Sequence, residues 1–112
     1  MKFEELSSKV IDWAEARGIF ENGDALAQLD KTEEELDETI NAVKEYNSCF
    51  LDKKSLEAAE NEVADGVGDM LVTIIIAAKM MGLDTTECLE LAYNEIKDRT
   101  GKMVGGQFVK DK

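Results

Sequence analysis

Apolar residues recur at helical spacing along most of the chain. Phe3, Leu6, Val10, Trp13 and Ala14 mark one stripe of a first helix from about Phe3 to Arg17, stopped by Gly18. Asn22-Gly23-Asp24 forms a turn and supplies an N-cap for a second helix from about Asp24 to Tyr46. That helix carries Leu26, Leu29, Leu36, Ile40 and Val43 on one stripe, and Asn47-Ser48 ends it. After Asp52-Lys53-Lys54, a third and longest helix is expected from near Ser55 to Met81, where Gly82 takes the left-handed position past the last turn. Asp84, with Glu87 three residues on, caps a fourth helix that runs to about Arg99 and turns Leu89, Ala92, Tyr93 and Ile96 inward. Beyond Thr100-Gly101, β-forming residues flank Gly105-Gly106, the signature of a two-residue hairpin. The fold class is all-α: a four-helix core in one domain over residues 1–112, with a small C-terminal β-hairpin.

The third helix reads Met-Leu-Val-Thr-Ile-Ile-Ile-Ala-Ala from Met70 to Ala78, apolar on every side, whereas a surface helix of a lone small domain needs one apolar stripe. Three neighbours do not cover such a helix. The pattern therefore predicts a homodimer or homotetramer in which this helix lies at the centre of a shared bundle. Trp13, on the first helix's stripe, is expected in the core.

Composition narrows the functions. The 25 acidic and 13 basic residues leave a charge of −12, which disfavours nucleic acid and anionic membranes as partners. The run from Met70 to Met81 is interrupted by Lys79 and is shorter than the ~20 residues needed to span a bilayer. Cys49 and Cys88 stand in no metal-ligand spacing and read as reduced, inert thiols, and the acidic N-terminus is unlike a secretory signal. A cytoplasmic protein is expected. Histidine is absent, which removes the commonest general base and the commonest transition-metal ligand. Any catalysis must run on carboxylates, lysines or bound water.

At about 100° per residue, Gln28, Lys31, Glu35 and Glu38 share one face of the second helix, opposite its leucine stripe. On its own this pattern reads as a solvated face. On the third helix, however, Glu62, Asp65 and Asp69 continue the stripe of Ala58, Val72 and Ile76. Ionised carboxylates on an inward face are costly unless a cation or donor compensates them. Gly66 and Gly68 each cost about 1 kcal/mol in a helix interior, which points to close approach of a backbone or ligand there. Glu35, Glu38, Glu62 and Asp65 together offer hard oxygen donors from two antiparallel helices. That set suits Mg²⁺, with Mn²⁺ as its substitute, and fits neither a Glu-x-x-His di-iron site nor a glycine-centred calcium loop.

With the acids so arranged, the chain resembles the MazG-type, all-α nucleoside triphosphate pyrophosphohydrolases, whose motif pairs Glu-x-x-Glu with Glu-x-x-Asp. Here the pairs read Glu35-Leu-Asp-Glu38 and Glu62-Val-Ala-Asp65, preceded by Lys31 and Glu34-Glu35, with Asp69 one turn on. The segment from Asn94 through Lys97, Arg99 and Lys102 to Lys110 is similar to the C-terminal segment of short phage- or prophage-type members, and the likeness runs from about Ser8 to Lys110. Asp37 stands where the family often has glycine, and Glu34 with Asp37 forms a competing pair. The resemblance implies Mg²⁺-dependent hydrolysis of a (deoxy)nucleoside triphosphate to monophosphate and pyrophosphate. It assigns Glu35, Glu38, Glu62 and Asp65 to the metal. Glu35 or Glu38 would act on the attacking water, and Gln28, Lys31, Asn94, Lys97, Arg99 and Lys102, with Lys110, would hold the substrate.

Each assignment has a plainer counterpart. Lys97 and Arg99 near a helix C-terminus are favoured by its dipole regardless of ligand, and Asn94 is equally a surface residue. Tyr46 and Phe50 stand near the connection between the acidic helices, where lid contacts are expected. Two other functions compete: an acidic helical module that binds a basic protein, and a nucleotide-binding member without catalysis.

Overall fold

The computed structural model describes residues 1–48 and 52–112, so Cys49 and Phe50 lie outside the described residues. Five helices and one hairpin follow in order: α1 (Phe3–Ala16), α2 (Ile19–Asn22), α3 (Ala25–Ser48), α4 (Lys53–Met80), α5 (Thr85–Ile96), β1 (Gly101–Val104) and β2 (Gln107–Lys110). The chain is mostly helical, and one element was not expected. Gly18 adopts the left-handed conformation (φ 73°) and, instead of passing directly to a turn, starts the single turn α2, whose Asn22 side chain donates back to the Gly18 carbonyl.

The caps follow local chemistry. Asp24 Oδ1 accepts from the Ala27 amide at 2.8 Å, and Asp84 Oδ1 accepts from the Thr86 and Glu87 amides. At the start of α4 the cap is Asp52, so the helix begins at Lys53, two residues ahead of the expected Ser55. The Asp52 carboxylate accepts from the Lys54 amide and from the Ser55 hydroxyl, which hold it below the usual carboxylate range. The hairpin forms as expected, pairing Met103 with Phe108 and Val104 with Gln107 across Gly105 and Gly106. Both turn glycines have positive φ (57° and 81°), as the favoured two-residue hairpin turn requires.

The centre of the molecule is the antiparallel pair α3 and α4, with Thr32 opposite Thr73 and Thr39 opposite Gly66. Its seam is not built from leucines. On α3 the buried or half-buried positions are Ala25, Gln28, Thr32, Glu35, Thr39 and Ala42, alternately three and four residues apart. That is the spacing of an antiparallel coiled-coil contact. On α4 the matching positions include Ala59, Gly66, Thr73 and Ile76. The Thr32 and Thr73 hydroxyls bond each other at 2.7 Å across the seam.

Several expectations of burial are overturned within the single chain. Leu26, Leu29, Leu36, Ile40 and Val43 face outward, with Leu36 at 46% exposure, because the seam uses the neighbouring polar stripe. On α4, Val67, Leu71 and Ile74 are also exposed, while Thr73, Ile75, Ile76 and Ala77 are buried. On α1 the buried residues are Ser7 and Ala14, and Trp13 lies at the surface with the Arg17 guanidinium over its ring at 4.5 Å. The α5 residues expected inward, Leu89, Ala92, Tyr93 and Ile96, are all exposed, because only the first turn of α5 reaches the rest of the chain. The axes of α4 and α5 meet at a 99° bend, and among the described residues no single helix is long and apolar enough to cross a membrane.

Candidate functional site

The cleft between α3 and α4 is lined by Glu35, Glu38, Thr39, Ala42, Glu62, Asp65, Gly66 and Asp69, around a volume of about 320 Å³. Its geometry follows from the seam. Glu35 and Thr39 lie on the contact line of α3, and Gly66 lets that line approach α4: a Cβ at position 66 would overlap the Thr39 hydroxyl. The Thr39 hydroxyl donates to the Glu35 carbonyl at 2.7 Å, which ties it to its own helix and leaves the Glu35 carboxylate facing the cleft. Gly68, by contrast, has no atom near the position its Cβ would take, so its expected close approach is absent within the single chain.

The two registers point in different directions: Glu35 and Glu38 line the cleft. Glu34 is exposed and pairs with Lys31 at 3.1 Å, and neither Glu34 nor Asp37 lines the cleft. Glu35 is 9% exposed. Burial raises its carboxyl above the ordinary glutamate range, the negative charges of Glu38 and Asp69 add to the rise, and Lys31 at 3.7 Å opposes it without cancelling it. Lys31 in turn is raised, first by its hydrogen bond to Glu34 and then by the charges of Glu34 and Glu35. The cleft is thus a crowd of carboxylates with the Lys31 ammonium at its edge. Glu38, Glu62, Asp65 and Asp69 remain open to solvent, and among the described residues no three acidic or sulfur side chains already converge on a point an ion would occupy.

The donors are all hard oxygens drawn from both helices, which is the chemistry Mg²⁺ or Mn²⁺ accepts. The excess of like charge is what a divalent cation would relieve.

The other residues singled out in the sequence stand elsewhere. Gln28 sits half-buried on the α3 seam, four residues before Thr32, whose hydroxyl donates to the Gln28 carbonyl. Asn94 lines a separate shallow hollow on α5 with Glu87, Glu90 and Leu91. Lys97 is the C-cap of α5, Arg99 pairs with Glu95 at 3.7 Å, Lys102 lies on β1 and Lys110 on β2. None of these six lines the acidic cleft. Tyr46 is exposed on the last turns of α3, and Cys88 is a half-buried free thiol. Thr39 and Ala42, which complete the cleft, went unnoticed in the sequence, although the alternating four-and-three spacing from Gln28 to Ala42 carries them.

No protein-family model, no curated protein and no solved structure matches the chain.

Proposed function

We propose that the chain is a Mg²⁺-dependent pyrophosphohydrolase that cleaves a (deoxy)nucleoside triphosphate between the α and β phosphates, working as an assembly of identical chains. The observation that carries this reading is the placement of Glu35, Glu38, Glu62 and Asp65, from both acidic helices, on one cleft with Lys31 at its rim. A triphosphate would be repelled by this surface, so the ligand the cleft suits is one already neutralised by divalent cations.

Glu35, Glu38, Glu62 and Asp65 would hold the ion, with Asp69 beside them. When bound, Mg²⁺ supplies charge neutralisation at the phosphates and polarises their oxygens. The chain's own residues supply position. Glu38 lines the open side of the cleft, and in this reading it would accept a proton from a water that attacks the α phosphorus in line with the departing pyrophosphate. Glu35, buried and held by the seam, fixes the floor of the site. Lys31, three residues before Glu34 and four before Glu35, adds a positive charge at the rim for a phosphate oxygen.

Incubation with a panel of nucleoside triphosphates and Mg²⁺ tests the reading: monophosphate and pyrophosphate are expected in equal amounts. Release of orthophosphate in place of pyrophosphate, or no turnover of any nucleotide, would remove it.

A further inference from the structure

The contact between Thr39 and Gly66 sits at the centre of the acids. Glu35 and Glu38 stand four and one residues before Thr39, and Glu62 and Asp65 stand four and one residues before Gly66. Because α3 and α4 run in opposite directions, this repeat relates the two acid pairs by an approximate twofold axis through the contact. At ~1.5 Å per residue, Glu38 and Asp65 leave their helices within about 1.5 Å of the contact's level, while Glu35 and Glu62 leave about 6 Å to either side of it. Equal offsets turn Glu38 and Asp65 to the same side of the pair, where both line the cleft. The span between them therefore follows the distance between the helix axes.

That distance is set by what fits at the contact. Gly66 is buried and Thr39 is 8% exposed. A Cβ on residue 66 would lie 3.1 Å from the Thr39 Cβ and 3.4 Å from its Cγ2, and would overlap its hydroxyl. Carbon pairs rest at about 3.5–4.0 Å. Turning the threonine gives no relief, since both branches of its Cβ are heavy atoms and its hydroxyl is already bonded to the Glu35 carbonyl. One added methyl group would part the helices by roughly half an ångström to one ångström.

Divalent ions differ by a similar amount. Bonds from oxygen to Mg²⁺ are about 2.0–2.1 Å long and demand octahedral geometry, whereas those to Ca²⁺ are about 2.3–2.6 Å and tolerate more ligands. Opposed oxygens around Ca²⁺ accordingly stand about 0.4–1.2 Å further apart. Asp65 has a short side chain and Glu35 is buried in the seam, so these two ligands adjust least when the helices move.

We infer that Thr39 and Gly66 are positioning residues that fit the cleft to a small divalent ion, by holding α3 and α4 too close for the longer bonds of Ca²⁺ to be made from both helices, an inference that rests on the metal-dependent reading of the cleft and adds which residues choose the ion.

Calorimetric titration of the metal-free full chain with Mg²⁺ and with Ca²⁺ in turn tests this without recourse to turnover. Gly66→Ala should weaken Mg²⁺ binding relative to Ca²⁺ binding by about fivefold or more against the natural chain. Thr39→Leu, which enlarges the other partner of the contact, should act in the same direction. Adding Thr39→Ala to Gly66→Ala removes the hydroxyl and the methyl that the new Cβ would meet, and should return the preference to within about twofold of the natural one. Gly68→Ala, which meets no atom of the chain, should leave it unchanged. Equal weakening for both ions in Gly66→Ala, complete loss of both included, would overturn the inference, and so would a double variant that stays shifted. Uptake of neither ion by the natural chain would remove the metal-dependent reading together with this inference, whereas uptake with a preference that no variant alters would remove this inference alone.

Discussion

Thr39 of α3 packs against the bare Cα of Gly66 on α4, and the acidic cleft owes its narrowness to that contact. Its Oγ1 is also fixed to the Glu35 carbonyl, so one threonine connects the helix approach to the buried carboxylate.

Gly66→Ala is therefore expected to force α3 and α4 apart and to destabilise the protein by about 1–3 kcal/mol, the usual cost of overpacking. Gly68→Ala meets nothing within the chain and should gain up to about 1 kcal/mol of helix propensity. Urea unfolding of both variants checks the pair. Equal effects would mean that the seam is not the tight contact described.

Glu35 links stability to pH. Its carboxyl is raised in the folded chain, so the folded state binds more protons than the unfolded state between the ordinary value of 4.5 and the raised one. Stability at this residue is thus greatest below that window and declines as pH rises through it. Glu35→Gln should raise the melting temperature of the metal-free protein at neutral pH and flatten its change with acid. It should also reduce the stabilisation that Mg²⁺ gives the natural chain. A melting curve more stable at pH 7 with glutamate than with glutamine would contradict this.

Ile74→Asp places a charge in the apolar face shared by α3 and α4 while leaving the seam untouched. It should shift the assembly toward monomer in sedimentation, with at least a tenfold weaker self-association, about 1.4 kcal/mol. Far-ultraviolet circular dichroism should keep its helical signal.

At the hairpin turn, Gly106 has φ 81°, so Gly106→Val should cost roughly 1–2 kcal/mol at a left-handed position. Loss of nuclear Overhauser contacts between Met103 and Phe108, with the helical spectrum unchanged, would report it. Gly105→Asn should be tolerated, because asparagine accepts that conformation.

Much of the fold was legible locally. Gly18, Asp24, Asp84 and Gly105-Gly106 mark boundaries through conformations and hydrogen bonds that depend on few neighbours, and the structure keeps them close to where the sequence places them. The inward faces were harder. Leu29, Leu36 and Ile40 form a regular apolar stripe, and apolar periodicity reports which side will be covered without naming the neighbour that covers it. Within one chain α3 turns its threonines and Glu35 to α4, leaving the leucines bare. The same ambiguity moved Leu89, Tyr93 and Ile96 from an expected core to the surface. At the cleft, the spacing of Glu35, Glu38, Glu62 and Asp65 and the presence of Gly66 were readable, since both depend on helix geometry. The separation of Lys97 and Arg99 from those acids was not, because it follows from the bend between α4 and α5.

In the proposed reading the opposed acids of α3 and α4 take up a divalent ion. Titrating Mn²⁺ into the protein and following the free-ion signal by electron paramagnetic resonance tests this most directly. The natural chain, with and without a nucleoside triphosphate, should remove Mn²⁺ from solution, and Glu38→Gln combined with Asp65→Asn should weaken that uptake by about tenfold or more. Equal uptake by both proteins, or none by either, would contradict it.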